Sequence, residues 1–360
     1  MKKKVALIFG GRSSEHEVSV QSAKNIFKAI DLNLFEVVLV GISKQGTWFS
    51  ISEKKLDQIS FIDDNEMEHL NIVSVISYLG KTFIYTIENK KKMQIDCAFP
   101  ITHGTNGEDG TLQGLLKLMN IPFVGCDVLS SALCMDKEFM KIVLTSAGIK
   151  NSRYLVLRRN KFISYDEISS QIGSPFFIKP ANAGSSVGVH KIKSNIEFES
   201  KLSDSFKYDF KVIAEEFIAG REIECSVSGA NQNPKVSIPG ELIVKHEFYS
   251  YEAKYLDADG AEVVIPARIN SEISKKIQTL AIQAYKILSC DGLARIDFFL
   301  KENGDIYINE LNTLPGFTKI SMYPKMWEAT GIKYSSLITE LIYAAFEKFD
   351  LDLTISKSRI

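Results

Sequence analysis

The sequence predicts a mixed α/β fold, and three observations carry that prediction. Apolar runs of strand length recur at residues 5–9, 37–42, 97–101 and 176–179, each followed by a loop rich in small or polar residues. Apolar stripes at helical spacing lie between and after them, and Asn303-Gly304 sits between two apolar segments as a hairpin signal.

In chain order, the run 5–9 reads as a buried strand. Residues 10–17, Gly-Gly-Arg-Ser-Ser-Glu-His-Glu, form a polar loop, and a helix follows over about 19–30. The glycine spacing is not Gly-x-Gly-x-x-Gly, which argues against a dinucleotide fingerprint and a dehydrogenase. Glu15 admits two readings: a carboxylate favoured at a helix entry by the dipole, or one at the mouth of a cleft that receives a substrate ammonium. Residues 50–95 are polar, weakly periodic and without functional signal. The strand 97–101 leads into Thr102-His103-Gly104-Thr105-Asn106-Gly107-Glu108-Asp109-Gly110, then a helix with a stripe of Leu112, Leu115, Leu116 and Met119. His103 stands where α/β sheets place ligands, although a lone histidine is more often structural.

The pattern changes near Ser130, and a helix begins at Met135-Asp136-Lys137 and runs to about Ala147. Strand 176–179 ends in Lys179-Pro180 before the small-residue loop 181–189. Successive N–H groups there can cradle phosphate oxygens with Lys179 as counter-charge, although it is not a Walker A loop and a flexible hairpin is the alternative. Residues 212–217 are apolar apart from Glu215 and Glu216, and strand 223–228 follows a turn. Residues 246–259 hold Tyr249, Tyr251, Lys254 and Tyr255 among acids, a composition that suits a lid or a solvated hairpin. Two stripes, Ile273 to Leu288 and Leu337 to Phe346, are packing faces of helices.

The hairpin carries the chemistry. A two-residue turn pairing Glu302 with Asp305 sets Asp297 opposite Glu310 and Arg295 opposite Asn312, all on one face. Facing carboxylates, with Cβ atoms roughly 5 Å apart, repel each other unless something positive lies between. Either a divalent cation held by Asp297, Glu310 and the amide of Asn312 resolves the conflict, or Arg295 neutralises the pair in a surface salt-bridge cluster.

At 360 residues the chain is long enough for two or three domains, and its formal charge of −1 argues against nucleic acid or an anionic membrane as the main partner. Small molecules are the better expectation. The five cysteines carry no Cys-x-x-Cys pair and read as buried thiols in a reducing compartment. Met1 to Lys4 resembles a signal-peptide n-region, but the apolar run behind it stops at Phe9, and no run reaches the roughly 20 residues that span a bilayer. A cytoplasmic location is expected.

Taken together the motifs resemble the ATP-grasp superfamily and, within it, the D-alanine:D-alanine ligase family. The resemblance rests on Gly-Gly-Arg-Ser-Ser-Glu-His-Glu-Val-Ser, His103-Gly104 with Gly107-Glu108-Asp109-Gly110, Met135-Asp136-Lys137, Lys179-Pro180 and Gly184-Ser185-Ser186-Val187-Gly188. Tyr251-Glu252-Ala253-Lys254-Tyr255, Arg295-Ile296-Asp297 and Glu310-Leu311-Asn312-Thr313 complete it. It implies a three-domain ATP-grasp architecture: residues 1–130 as an N-terminal doubly wound α/β substrate domain, 131–220 as a central subdomain, and 221–360 as a C-terminal domain with metal and substrate sites. The implied reaction is ATP-dependent. One D-alanine carboxylate takes the γ-phosphoryl group, and the amine of a second attacks the acyl phosphate to give D-alanyl-D-alanine for peptidoglycan precursors. No enzyme nucleophile is needed, in accord with the lack of a Gly-x-Ser-x-Gly motif.

The resemblance also implies roles. Lys137 and Lys179 meet the phosphates, Ser185, Ser186 and Val187 close over them, Glu215 and the backbone near Ile218 meet the adenine, and Glu222 meets the ribose. Asp297, Glu310 and Asn312 hold two magnesium ions, with manganese as a substitute. Glu15, Ser185 and Tyr255 link domain, loop and lid, while Arg295 faces the developing oxyanion. Glu15 takes the first ammonium with His103 and Gly316 nearby, and Lys254, Ser321 and Met322 hold the second carboxylate. Relatives that make D-alanyl-D-lactate lack the tyrosine, so Tyr255 favours an amine acceptor. D-serine or D-lactate as acceptor, and a nucleotide-binding module without turnover, are the alternatives; a homodimer is implied by the family alone.

Overall fold

The computed structural model describes residues 2–161, 163–244 and 261–355. The lid segment, with Lys254 and Tyr255, lies outside the described residues. The first sheet orders its strands Trp48–Ser50, Phe35–Ile42, Lys3–Gly10 and Cys97–Pro100. The last three are parallel, so they are buried on both faces and read as continuous apolar runs. The helix over His16–Ala29 starts three residues before the expected Ser19, since its first two residues, His16 and Glu17, are polar and read as loop. His16 explains that start. Burial lowers its pKa, its Nδ1 lies 2.8 Å from the Gly11 carbonyl, and its Nε2 accepts from the Ile62 N–H at 2.8 Å, so the neutral imidazole pins the glycine loop. Gly10 is positive in φ, and a Cβ there would lie 2.2 Å from the Ile42 carbonyl oxygen.

Residues 50–95, silent in the sequence, fold into two short helices and a three-stranded antiparallel sheet of Val73–Tyr78, Lys81–Thr86 and Lys92–Ile95. A second four-stranded sheet pairs His190–Ile192, Phe176–Pro180, Lys211–Glu216 and Tyr154–Arg158, all antiparallel. The third sheet runs Ala261–Val264, Gly240–Val244, Arg221–Gly229, Gly292–Leu300 and Ile306–Asn312, with Lys235–Val236 against Arg221–Gly229.

Packing crosses the sequence. The first core joins Leu7, Phe9 and Phe99 of the N-terminal sheet to Phe317, Trp327 and the apolar stripe of Tyr334–Leu353. A second core packs Met140 and Leu144 of helix Lys137–Ser146 and Ala281 of helix Ser271–Ile287 on the third sheet. All five cysteines are buried and unbridged. Among the described residues no helix is long and apolar enough to cross a membrane.

The hairpin corrects one expectation and keeps its consequence. Its turn is three residues long, not two: Lys301 N–H donates to the Asp305 carbonyl at 2.9 Å, and Gly304 takes the left-handed conformation (φ 86°) that such a loop requires. That alone would shift the register by one. A bulge at Asn309 compensates, and Asp297 still faces Glu310 with Arg295 facing Asn312.

Candidate functional site

One cleft of about 1060 Å³ lies between the second and third sheets and reaches the N-terminal glycine loop. Of the predicted site residues, Glu15, His103, Lys137, Lys179, Ser185, Ser186, Glu215, Ile218, Glu222, Arg295, Asp297, Glu310, Asn312, Gly316, Ser321 and Met322 all line it. Val187 does not; Val189 of the same loop does.

At the N-terminal mouth, Glu15 is the N-cap residue of its helix, but its side chain makes no capping bond. Instead it accepts a hydrogen bond from the Ser185 hydroxyl, 170 residues away in sequence. Ser185 and Ser186 both have positive φ (48° and 59°), which bends the loop back over the cleft. A Cβ at Gly184 would lie 2.6 Å from Glu15 Oε2, so a larger residue there would have to displace the Glu15 carboxylate. His103 is buried nearby. Its Nδ1 is 3.0 Å from the Leu314 carbonyl and 3.3 Å from Glu108 Oε1, and its Nε2 is 3.3 Å from Ser22 Oγ. Burial opposes a charge on the imidazole, but Glu108 and Glu15 outweigh it and hold the pKa above its ordinary value.

Further in, Lys137 Nζ donates to the Ala183 carbonyl at 2.7 Å and lies 4.0 Å from Glu310. Lys179 pairs with Glu215, and despite burial its pKa is raised by Glu215 and Glu310. Burial pushes Glu215 upward, yet Lys141 and Lys179 overcome it and hold the carboxyl down to about 2. On the hairpin, Arg295 reaches Asp297 through two bonds of 2.8 Å, and its Nε is 2.9 Å from Glu224. Asn312 donates to Asp297 Oδ2 at 3.0 Å. Of the two readings of the facing acids, the arginine contact is therefore present, though partly buried and not as a surface cluster. Among the described residues no three His, Cys, Asp or Glu side chains gather as metal ligands. Asp297, Glu310 and Asn312 are two carboxylates and an amide on one face, an oxygen-only set that suits magnesium with substrate phosphates completing its shell. At the far wall Ser321 holds the N-cap position of helix Met322–Ala329 without a side-chain capping bond, its hydroxyl accepts from the Thr318 N–H at 2.9 Å, and a Cβ on Gly316 would lie 2.8 Å from that hydroxyl.

Sequence reasoning missed Lys141, Ser152 and Glu224. Lys141 stands four residues after Lys137 on the same helix face, and Glu224 two after Glu222 on the same strand face, so periodicity held a signal for both.

Two sheets clasping a cleft lined with lysines and carboxylates define the class: an ATP-dependent ligase of the ATP-grasp fold. Family models described as the N-terminus and C-terminus of D-ala D-ala ligase match residues 4–126 and 143–343. The chain belongs to the D-alanine–D-alanine ligase family. It is 48% identical over 369 residues to the D-alanine–D-alanine ligase of Oceanobacillus iheyensis, covering 100% of this chain and 99% of that one. Among solved structures, the D-alanine–D-alanine ligase from Coxiella burnetii superposes with a TM-score of 0.87 at 34% identity, over 98% of this chain and 96% of that chain. A D-Ala:D-Ser ligase from Enterococcus faecalis gives 0.85 at 37% identity, over 96% and 100%.

Proposed function

We propose that the protein joins two D-alanine molecules to D-alanyl-D-alanine through a D-alanyl phosphate, consuming ATP and releasing ADP and phosphate, for peptidoglycan precursor synthesis in the cytoplasm. The observation that carries this reading is the single cleft in which the Glu15–Ser185 contact, the lysines and the hairpin acids meet. Phosphoryl transfer of this kind needs positioning and charge stabilisation, not a nucleophile. Lys137 and Lys179 meet the phosphates under the Ser185–Ser186 turn, Glu215 and Ile218 the adenine, and Glu222 the ribose. Asp297, Glu310 and Asn312 hold two magnesium ions, which neutralise charge on the transferring group when bound. Arg295, fixed from the side by Glu224, faces the developing oxyanion.

Glu15 receives the first ammonium beside His103 and Gly316, while Ser321 and the Met322 N–H, with Lys254, take the second carboxylate; Tyr255 closes the set. The division at 1–130, 131–220 and 221–360 follows from this reading, with helices after residue 320 docked on the first domain, and the working form is a homodimer. A second reading, D-serine as acceptor, is favoured by the likeness to the Enterococcus faecalis ligase. Product mass spectrometry with phosphate release, using ATP, magnesium and D-alanine beside D-serine, D-lactate and L-alanine, separates the two. Dipeptide with stoichiometric phosphate is expected from D-alanine, and a mixed D-alanyl-D-serine product in preference to it would replace the first reading.

A further inference from the structure

Lys141 has no part in the proposed function, yet among the described residues it is the most deeply buried cation near the cleft. Its side chain has 0% exposure, on helix Lys137–Ser146, and it does not line the cleft, whereas Lys179 and Glu215 do. Its Nζ lies 2.5 Å from Glu215 Oε1 and donates to Ser152 Oγ at 2.8 Å, and the Ser152 hydroxyl donates to the same carboxylate oxygen. Lys179 takes the other oxygen, Oε2. Burying an ammonium is expensive, and a well-packed apolar side chain of similar volume would serve the core at least as well. The charge has to be explained by what it does to Glu215.

Two consequences follow from counting charges. Glu215 is shared between two ammonium groups, and Glu310 also acts on Lys179, so Lys141 takes up part of the Glu215 charge and leaves more of the charge of Lys179 to a phosphate. Moreover, a carboxylate whose Oε1 is held by Lys141 and Ser152 stays ionised and fixed, an acceptor without a proton to donate. Such a group accepts from a 6-amino purine and repels a 6-oxo purine.

We infer that Lys141, with Ser152, is a positioning residue that holds Glu215 as a fixed, ionised acceptor and thereby selects a 6-amino purine nucleotide over a 6-oxo one. This rests on the proposed contact of Glu215 with the base. Around Glu215 the same logic excludes a passive role for Lys141, because removing it leaves Lys179 to neutralise the carboxylate alone and draws that ammonium away from the phosphates.

The test compares ATP with ITP, which differs at the 6-position, in the wild type and in folded Lys141→Met, Ser152→Ala and Glu215→Gln proteins. For Lys141→Met, KM for ATP should rise about tenfold while KM for D-alanine changes little, and the preference for ATP over ITP should fall by a similar factor. Ser152→Ala should move the preference the same way, by about threefold, and carries the test if the methionine variant does not fold. An unchanged preference in Lys141→Met, or in Ser152→Ala where that variant stands in, overturns the inference, as does a uniform loss across ATP, ITP and D-alanine. Glu215→Gln distinguishes the failures. If its preference also stays that of the wild type, the base contact itself is wrong; if it changes while Lys141→Met does not, only the positioning role falls.

Discussion

Two sites in the cleft solve the same problem, a carboxylate taken out of water, in opposite ways. At one, Glu215 is settled: two lysines and a serine contact its two oxygens and leave it room to accept one more bond, and the group sits 3% exposed. At the other, Asp297 is held by Arg295 and Asn312 on a face that also presents Glu310, and Arg295 is shared with Glu224. A metal bound there would take oxygens that Arg295 now occupies, while Glu224 keeps the guanidinium in place. The first site is built for binding without rearrangement, the second for an exchange of partners. Stability and turnover should therefore divide between them.

The sharpest way to break this contrast is Asp297→Asn. Turnover should fall by about a thousandfold or more, the several kcal/mol of charge stabilisation that a metal supplies, with circular dichroism and melting little changed; an active variant would end the metal assignment. Next comes Glu215→Gln, which strands Lys141 in the interior. A loss of about 3 kcal/mol is expected in denaturant titrations, far more than for Asp297→Asn. Its pH dependence has a definite sign. The folded pKa of about 2 lies below the ordinary 4.5, so the contribution of Glu215 is complete above about 4.5 and is lost as pH falls toward about 2. The gap between wild type and variant should close over that window, and a gap independent of pH would show that the lysines do not hold the charge. The smallest effect is expected at the hairpin tip, outside the lining of the cleft, where Gly304→Ala should cost about 1 kcal/mol through its positive φ and leave KM for ATP unaltered.

What could be read in advance follows the range of the interaction. The strands of the first sheet were legible because parallel strands buried on both faces are apolar throughout. The facing of Asp297 and Glu310 was legible too, although through two departures that cancel: a loop one residue longer than Asn-Gly implied, and a bulge at Asn309 that no local pattern announces. Residues 73–95 were not, since their strands alternate burial only briefly and present one face to a small sheet. The ring of Lys141, Ser152 and Glu215 joins partners 11 and 63 residues apart. Nothing in a linear pattern pairs them.

The settled carboxylate at Glu215 bears on inhibitor chemistry. A competitor that engages Glu215 meets side chains already in their final places, so little of its interaction energy is lost to ordering the protein. One that reaches only Asp297 and Arg295 must displace an internal ion pair first. Fragments elaborated outward from the Glu215 wall should therefore give the higher affinity per atom.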